Sequence, residues 1–517
     1  PLSGKDFQGV ESGLVLETNE ELAGAYVNLG HDAGAWDGFL SFTAKQGEGD
    51  EKEANVVSFF DHEGQGPAPL DKRYGTHKPG NVHYVDLYGR LNLGRTLSLS
   101  GRFSDSRRPY TLDNHDRRYQ WEERRVLPFG YLKLDTNYEL SIDTTIRFSM
   151  YYSRMDLEQR IIDKELSQNE KTHYSELLMD KSFFGGQGLL TTGLSYKHKE
   201  IDDVPIWNGY IPSYLGQDNT SFLPQVSFKD VQNDLWSVFG QYTHTIQDVD
   251  VIFGLRQDFH QKYENNLSGS AALVWSPEPE WAVKLLYGTS YRTPCARQLL
   301  DDSKPKMERS ENYSLQVNWR PTEEVSLTGT GFFNRISDHL MDDPYAGLSQ
   351  PNEQDIFGLE LEAAYSPWKW LDIQAHLTVL DNDGPEETYV YEEYSFIRPD
   401  GTEEQVFTEL NYPYDPGAKT LFNLGMQLKP WEGLELFSGL RYFPSRKLVA
   451  PRGEVQKRTS SIWLTDIAAT FKDLGTTGLD LSLTVRNVFD KEYETPGTYS
   501  LIQGEPFNAQ IMLKYRF

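Results

Sequence analysis

Residues 508–517 read "NAQIMLKYRF". Ala509, Ile511, Leu513, Tyr515 and Phe517 alternate with Gln510, Met512, Lys514 and Arg516, so one side is apolar and the other carries the charge. Strict alternation predicts a strand, because successive side chains leave a strand on opposite faces. The run is also about the 9 to 11 residues that a tilted strand needs to cross a bilayer.

The same rhythm runs back through the chain. Alternating runs fall at 14–19, 22–30, 35–46, 83–93, 96–104, 124–136, 139–154, 170–184, 187–200, 233–245, 249–261, 265–276, 281–293, 308–320, 325–337, 354–366, 370–381, 417–430, 434–444, 459–472, 478–489 and 508–517. Even-numbered runs end in tight turns such as "HDAGA", "GRT", "DTN", "QDVD", "SPEPE" and "DLGTTG", rich in the Gly, Pro, Asp and Asn that hairpins use. Odd-numbered runs mostly end in long polar loops, among them 47–82, 105–123, 201–232, 294–307, 382–416 and 490–507. A soluble sandwich has no reason to gather its long loops at one end, whereas an outer-membrane barrel does. The predicted fold is all-β: a 22-stranded antiparallel transmembrane β-barrel with short periplasmic turns and long extracellular loops. So wide a barrel cannot be filled by its own side chains, and barrels of that width are plugged.

Single strands agree. In "WAVKLLYGTSYR" (281–292), Trp281, Val283, Leu285, Tyr287 and Tyr291 form the expected outward set, with Lys284, Ser290 and Arg292 inside. In "TLFNLGMQLK" (420–429), Phe422, Leu424, Met426 and Leu428 oppose Asn423, Gln427 and Lys429. Aromatics at both ends of such stripes suit two interfacial girdles. No run approaches about 18 apolar residues, which excludes a spanning helix and leaves a barrel untouched. The net charge of -27 excludes nucleic acid as a natural partner, since a polyanion is repelled. Cys295 is the single cysteine, so no intrachain disulfide forms. No Pro/Ser-rich linker interrupts the rhythm, which points to one architecture. No charged-then-apolar leader opens the sequence, as expected of a mature or trimmed chain or of one never exported.

Three stretches carry a family resemblance. "VRNVFDKEYETPG" (485–497) resembles the penultimate strand and last loop of TonB-dependent outer-membrane receptors. "YGTSYRTPCARQLL" (287–300) with "KMERSENYSLQVNW" (306–319) is similar to the mid-barrel segment of that family. "AYVNLGHDAGAWDGFLSFTAK" (25–45) looks like its second hairpin, and "LKYRF" matches its ending. The resemblance implies uptake of a scarce nutrient, most naturally a ferric siderophore or other metal complex, by TonB-coupled displacement of a plug. It implies as partners the outer-membrane lipid and lipopolysaccharide, the plug, a TonB-type energy transducer and the metal complex. The alternative is a plugless barrel acting as a passive channel or as a sheath for a partner protein.

Departures from the family pattern matter too. A plug of family type is not visible, so residues 1–13 are expected to be the lead-in from a missing or separate plug and 14–517 the barrel. The turn reads "YRTP" where haem receptors of the group have "FRAP", and no His lies between Arg292 and Asn312, which disfavours haem. Cys295 and Met307 offer one thiol and one thioether, a thin basis for a soft-metal site. No "HExxH", "GxSxG" or P-loop is present, and the chain reads as a non-enzyme.

Candidate ligand residues come from composition. Loop 105–123 and its flank carry Arg107, Arg108, Arg117, Arg118, Arg124 and Arg125 beside Tyr110, Tyr119 and Trp121. Forked cations that also stack suit a planar anion such as a ferric siderophore. The competing reading pairs them with Asp113, Asp116, Glu122 and Glu123, or with lipopolysaccharide phosphates. Arg292 is expected to face the lumen against a carboxylate. Loop 382–416 supplies Tyr389, Tyr391, Tyr394 and Phe396 as a lid over the lumen, and Asp381, Asp383 and Glu387 as oxygen ligands suited to Ca2+. No other cofactor is expected. Asn487, Asp490 and Lys491 of the last-loop motif read first as turn formers.

Overall fold

Alternation becomes wall when each strand finds two neighbours, and here all of them do. The computed structural model describes residues 3–49, 52–56, 73–74, 82–108, 124–161, 164–208, 225–294, 306–338, 342–343, 347–348, 353–383, 387–397, 403–412, 419–449, 455–496 and 500–517. Its principal sheet has 22 strands. They are Gly9–Glu17, Leu22–Asp32, Trp36–Gly47, Val82–Leu93, Leu97–Arg108, Arg124–Ser141, Thr144–Ile161, Lys164–Phe183, Gly188–Asn208, Gln225–Ile246, Val249–His260, Asn266–Glu278, Trp281–Arg292, Glu308–Thr322, Val325–Ser337, Gln354–Trp368, Leu371–Asp383, Thr420–Trp431, Leu434–Phe443, Ile462–Phe471, Leu479–Arg486 and Asn508–Arg516. Each pairs antiparallel with the next, and the last pairs with the first through Leu14↔Leu513. Closure leaves no open edge, which a strand needs in hydrocarbon.

The terminal strand shows how the seam is held. Ile511 and Leu513 point outward and are exposed, while Lys514 pairs inward with Asp480 at 3.0 Å and Arg516 with Glu11 at 2.9 Å. The Thr18 N–H donates to the Ala509 carbonyl at 3.0 Å, and the Phe517 N–H to Val10 at 2.8 Å. Elsewhere the molecule is apolar outside. Leu16, Leu132, Phe253, Leu255 and Leu285 are exposed, whereas Asp37, Ser237 and Asp258 are buried. Trp281 stacks on Trp319 at 5.2 Å and Trp368 on Trp370 at 4.8 Å near the short-turn rim. Tyr287, Tyr313, Phe333 and Phe357 form a continuous row nearer the loops. These are the two girdles.

Four differences from the sequence expectation have physical causes. The first strand starts at Gly9, inside the expected lead-in, because inward-facing Glu11 and Gly13 dilute the apolar signal. Tyr26 lies over Gly13 so closely that a Cβ there would stand 2.2 Å from its ring. "DTN" (135–137) is not a turn: Asp135 faces inward, accepts from Ser149 at 2.7 Å and pairs with Lys133, and the chain reverses at Ile142–Asp143 instead. The seventh to tenth strands run to Ile161, from Lys164, to Asn208 and from Gln225, well past their alternating portions. Beyond the membrane both faces are wet, so a strand continues without alternation. Loop 382–416 contains a hairpin, Glu387–Ile397 with Glu403–Tyr412.

Two further features position the site. Residues 3–7 lie against the inner wall, where the Gly4 N–H donates to Asp37 Oδ1 at 3.0 Å and Phe7 meets Phe39 edge-on at 5.9 Å. Short strands Lys52–Val56, Arg73–Tyr74, Glu494–Pro496 and Ser500–Gln503 pair into a small sheet that joins the loop after the third barrel strand to the last loop.

Candidate ligand site in the upper lumen

The inner wall carries a recess of about 550 Å³ near the long-loop rim, lined by Lys197, Lys199, Asn233, His260, Tyr263 and Tyr291–Pro294, among others. Four strands and two loops build it. On Gly188–Asn208 the even positions Leu194 and Tyr196 lie on the lipid face with Trp236, so Lys197 and Lys199 project inward. On Val249–His260 the outward set is Phe253, Leu255 and Phe259, which turns Arg256, Asp258 and His260 to the lumen.

Hydrogen bonds order the floor of this recess. The Tyr291 hydroxyl donates to Asp258 Oδ2 at 2.8 Å and lies 2.8 Å from His260 Nε2. With its one proton committed to the carboxylate, the phenol oxygen accepts from His260, which fixes the ring proton on Nε2. Asp258 is held from behind by Arg256 at 2.9 Å, and Arg256 in turn donates to Ser237 Oγ at 2.8 Å. The Tyr263 hydroxyl donates to the Pro294 carbonyl at 3.3 Å and clasps the "YRTP" turn. Tyr291 therefore faces the lumen, a correction to the outward placement that alternation suggested. Regular pairing with the preceding strand stops at Ser270↔Gly288, and the Gly269 N–H there goes to the Thr289 hydroxyl at 2.9 Å.

Charge in the recess is unevenly compensated. Lys199 pairs with Glu170 at 3.0 Å. Lys197, half-buried beside it, hydrogen-bonds to no described residue. A half-buried ammonium without a hydrogen-bonded partner is costly, and an anionic guest would repay that cost. Arg292 pairs with Glu308 at 2.8 Å at the edge of the recess.

The other sequence candidates are spread around the same rim. Arg107 and Arg108 lie in a strand, and pairing sets them opposite Arg125 and Arg124, with Arg125 opposite Glu158 on its other side. Tyr110, Arg117, Arg118 and Trp121 lie outside the described residues. Tyr389, Tyr391, Tyr394 and Phe396 belong to one strand of the loop hairpin, and only its backbone is described. Asp381 pairs with Lys419 at 3.1 Å, while Asp383 and Glu387 are described in backbone alone. Cys295 lies outside the described residues, and Met307 is buried.

The last-loop motif is a knot of hydrogen bonds. Asn487 takes φ 45° and Asp490 φ 46°, a region that Asn and Asp tolerate best among side-chain-bearing residues. Asn487, 2% exposed, donates from Nδ2 to the carbonyls of Lys491 at 2.9 Å and Glu505 at 3.1 Å, and accepts from the Lys491 N–H at 2.9 Å. Its own N–H goes to Asp466 at 3.0 Å, and Asp490 accepts from the Phe507 N–H at 2.8 Å. These residues shape the loop.

Residues 60–488 match the family model described as TonB dependent receptor-like, beta-barrel. The chain belongs to the TonB-dependent receptors. It is therefore a bacterial outer-membrane protein of a transport-receptor family and not an enzyme; its short turns face the periplasm and its long loops the outside. The FrpB iron transporter from Neisseria meningitidis superposes with TM-score 0.74 at 16% identity, over 99% of this chain and 82% of that one. The siderophore receptor PiuA from Acinetobacter baumannii superposes with TM-score 0.70 at 14% identity, over 99% and 82%. At such identities the likeness is one of fold. The iron-regulated outer membrane virulence protein of Vibrio cholerae serotype O1 is 25% identical over 199 residues, 34% of this chain, and the chain spans only 28% of that relative.

Proposed function

We propose that this chain is the barrel of a receptor that takes up an anionic ferric complex, a siderophore type of cargo, by TonB-coupled displacement of a plug. The observation that carries this reading is Lys197, a half-buried ammonium that hydrogen-bonds to no described residue and lines the same upper-lumen recess as His260 and Tyr291. Lys197 and Lys199 supply charge, Tyr263 and Tyr291 supply ring surface, and the chain from His260 to Asp258 holds that surface still. The arginine rows at Arg107 and Arg108, with Arg117, Arg118, Tyr110 and Trp121, are proposed as the outer catchment, and the hairpin bearing Tyr389, Tyr391, Tyr394 and Phe396 as a lid. The plug is proposed to sit against the lower inner wall, where Lys5, Arg90, Lys133, Arg147, Asp37 and Glu176 surround a recess of about 610 Å³. Ca2+ at Asp381, Asp383 and Glu387 stays a proposal, and such an ion has to displace Lys419.

The test is growth on single ferric siderophores under iron limitation, in a strain lacking its other receptors. Lys197→Gln should weaken uptake about tenfold and reduce its salt dependence, as loss of one partly buried charged contact implies. Tyr291→Phe should weaken it with little change in salt response. Combined replacement of Arg107, Arg108, Arg117 and Arg118 by Gln should slow uptake chiefly at low salt. Full uptake by Lys197→Gln and Tyr291→Phe together would remove the recess as the ligand site.

A further inference from the structure

The outer wall has a recess where a barrel needs none. Trp281, Val317, Trp319, Leu327, Gly329, Leu361, Ala363, Ala375, Leu377 and Phe422, with Thr328, Glu362 and His376 between them, line a groove of about 540 Å³ on the lipid-facing side. The pairing explains its shape. One row across five strands reads Trp281, Trp319, Leu327, Ala363, Ala375, and the next reads Val283, Val317, Gly329, Leu361, Leu377. Gly329, Ala363 and Ala375 sink the floor, the stacked tryptophans raise one wall, and Leu361, Leu377 and Phe422 raise the other. A Cβ on Gly329 would touch only Leu361, at 3.5 Å, so no packing demand inside the barrel requires glycine there.

The groove lies toward the periplasmic rim, and that rim carries both signs of charge. Arg320 follows Trp319, and its N–H donates to the Glu280 carbonyl at 2.8 Å. Lys369 sits between Trp368 and Trp370. Both cations are exposed, and neither pairs with a carboxylate among the described residues. Glu278, Glu280, Glu323 and Glu324 are exposed on the two turns alongside. A second copy of the chain would bring its own acidic rim to this face, against a net charge of -27 on each. A lipid bearing only negative charge would meet the four carboxylates.

We infer that this groove holds one acyl chain of a zwitterionic glycerophospholipid with a primary ammonium headgroup, in the periplasmic leaflet. The chain fills the recess over Gly329, the phosphate sits with Arg320 and Lys369, and the ammonium faces the glutamates. The tryptophans mark the interface depth at which a headgroup meets its chain. A lipid fixed here would brace the wall between the strands that begin at Trp281 and end at Trp431.

The full chain, reconstituted in phosphatidylcholine vesicles, is titrated with mid-chain brominated phosphatidylethanolamine or phosphatidylglycerol while tryptophan emission is read. The ethanolamine lipid should quench at least about threefold more effectively than its share of bulk lipid allows, and better than the glycerol lipid, a ratio worth less than 1.4 kcal/mol. Gly329→Leu should abolish that excess. Arg320→Gln with Lys369→Gln should keep chain quenching and lose the headgroup preference. Heat-modified gel mobility confirms that each variant is a closed barrel. Quenching in proportion to bulk lipid, or an excess unchanged by Gly329→Leu, overturns the inference. So does a dimer by light scattering that Gly329→Leu dissolves, which would give the groove to a second copy.

Discussion

At Leu424 and Asn423 the two sides of the wall are one residue apart. Leu424 pairs with Ala375 and Leu440 on the lipid face, and Asn423 lies opposite His376 and Arg441 on the lumen face. Leu424→Arg should cost about 2 to 4 kcal/mol in folding into vesicles, and Asn423→Arg much less. Equal costs would contradict the outward assignment of this strand. Asn487 makes a different kind of demand, since its side chain closes a loop around itself at positive φ. Asn487→Ala should lose about 2 to 3 kcal/mol, through buried backbone groups left without partners. An urea titration in detergent reads it, and a loss below the error of that titration would show the knot to be dispensable. The motif was legible as turn chemistry because Asn and Asp announce positive φ. Its partners Asp466 and Glu505 were not, being 21 and 18 residues away.

Among the elements, each alternating run became a barrel strand, because a wall one residue thick writes its two environments directly into the sequence. Ends were less legible. Strands that leave the bilayer keep their pairing and lose their alternation, which is why the hairpins around Ile161 and Asn208 were underestimated. Turns hold their own electrostatics. Asp143 accepts from Lys181 at 2.6 Å, Ser141 and Thr144, and these donors hold its carboxyl well below the usual carboxylate range. Glu324 is lowered by Thr322 and its own N–H, and Asp6 by the hydroxyl and N–H of Ser3. In each case the unfolded chain binds the proton at higher pH than the folded one. Stability is thus complete above the ordinary carboxylate pKa and declines as pH falls below it. Unfolding midpoints measured from about pH 6 down to pH 3 should fall, and Asp143→Asn should flatten part of that slope. A steeper slope in the variant would reverse the sign assigned here.

For the whole molecule, function is less legible than architecture. The upper recess draws Lys197, His260 and Tyr291 from separate strands, and inward charge on any one strand looks like ordinary lumen polarity. Only the register brings them together. The arginine pairs adjoin in sequence, whereas the residues around Lys197 come from three other strands. The span of 22 strands predicts that these 517 residues alone, placed in a planar bilayer, conduct as a wide and weakly selective pore. A membrane kept ion-tight would mean that the loops seal it. The small sheet between the loop after the third strand and the last loop has a temporal meaning as well. Its backbone partners, Ala54 with Ile502 and Val56 with Ser500, come from opposite ends of the chain. Their pairing spans the seam between the first and last strands, so the sheet works as a clasp across the completed circle. Protease resistance in the last loop should then mark a finished insertion, and a barrel stalled with its seam open should be cut there first.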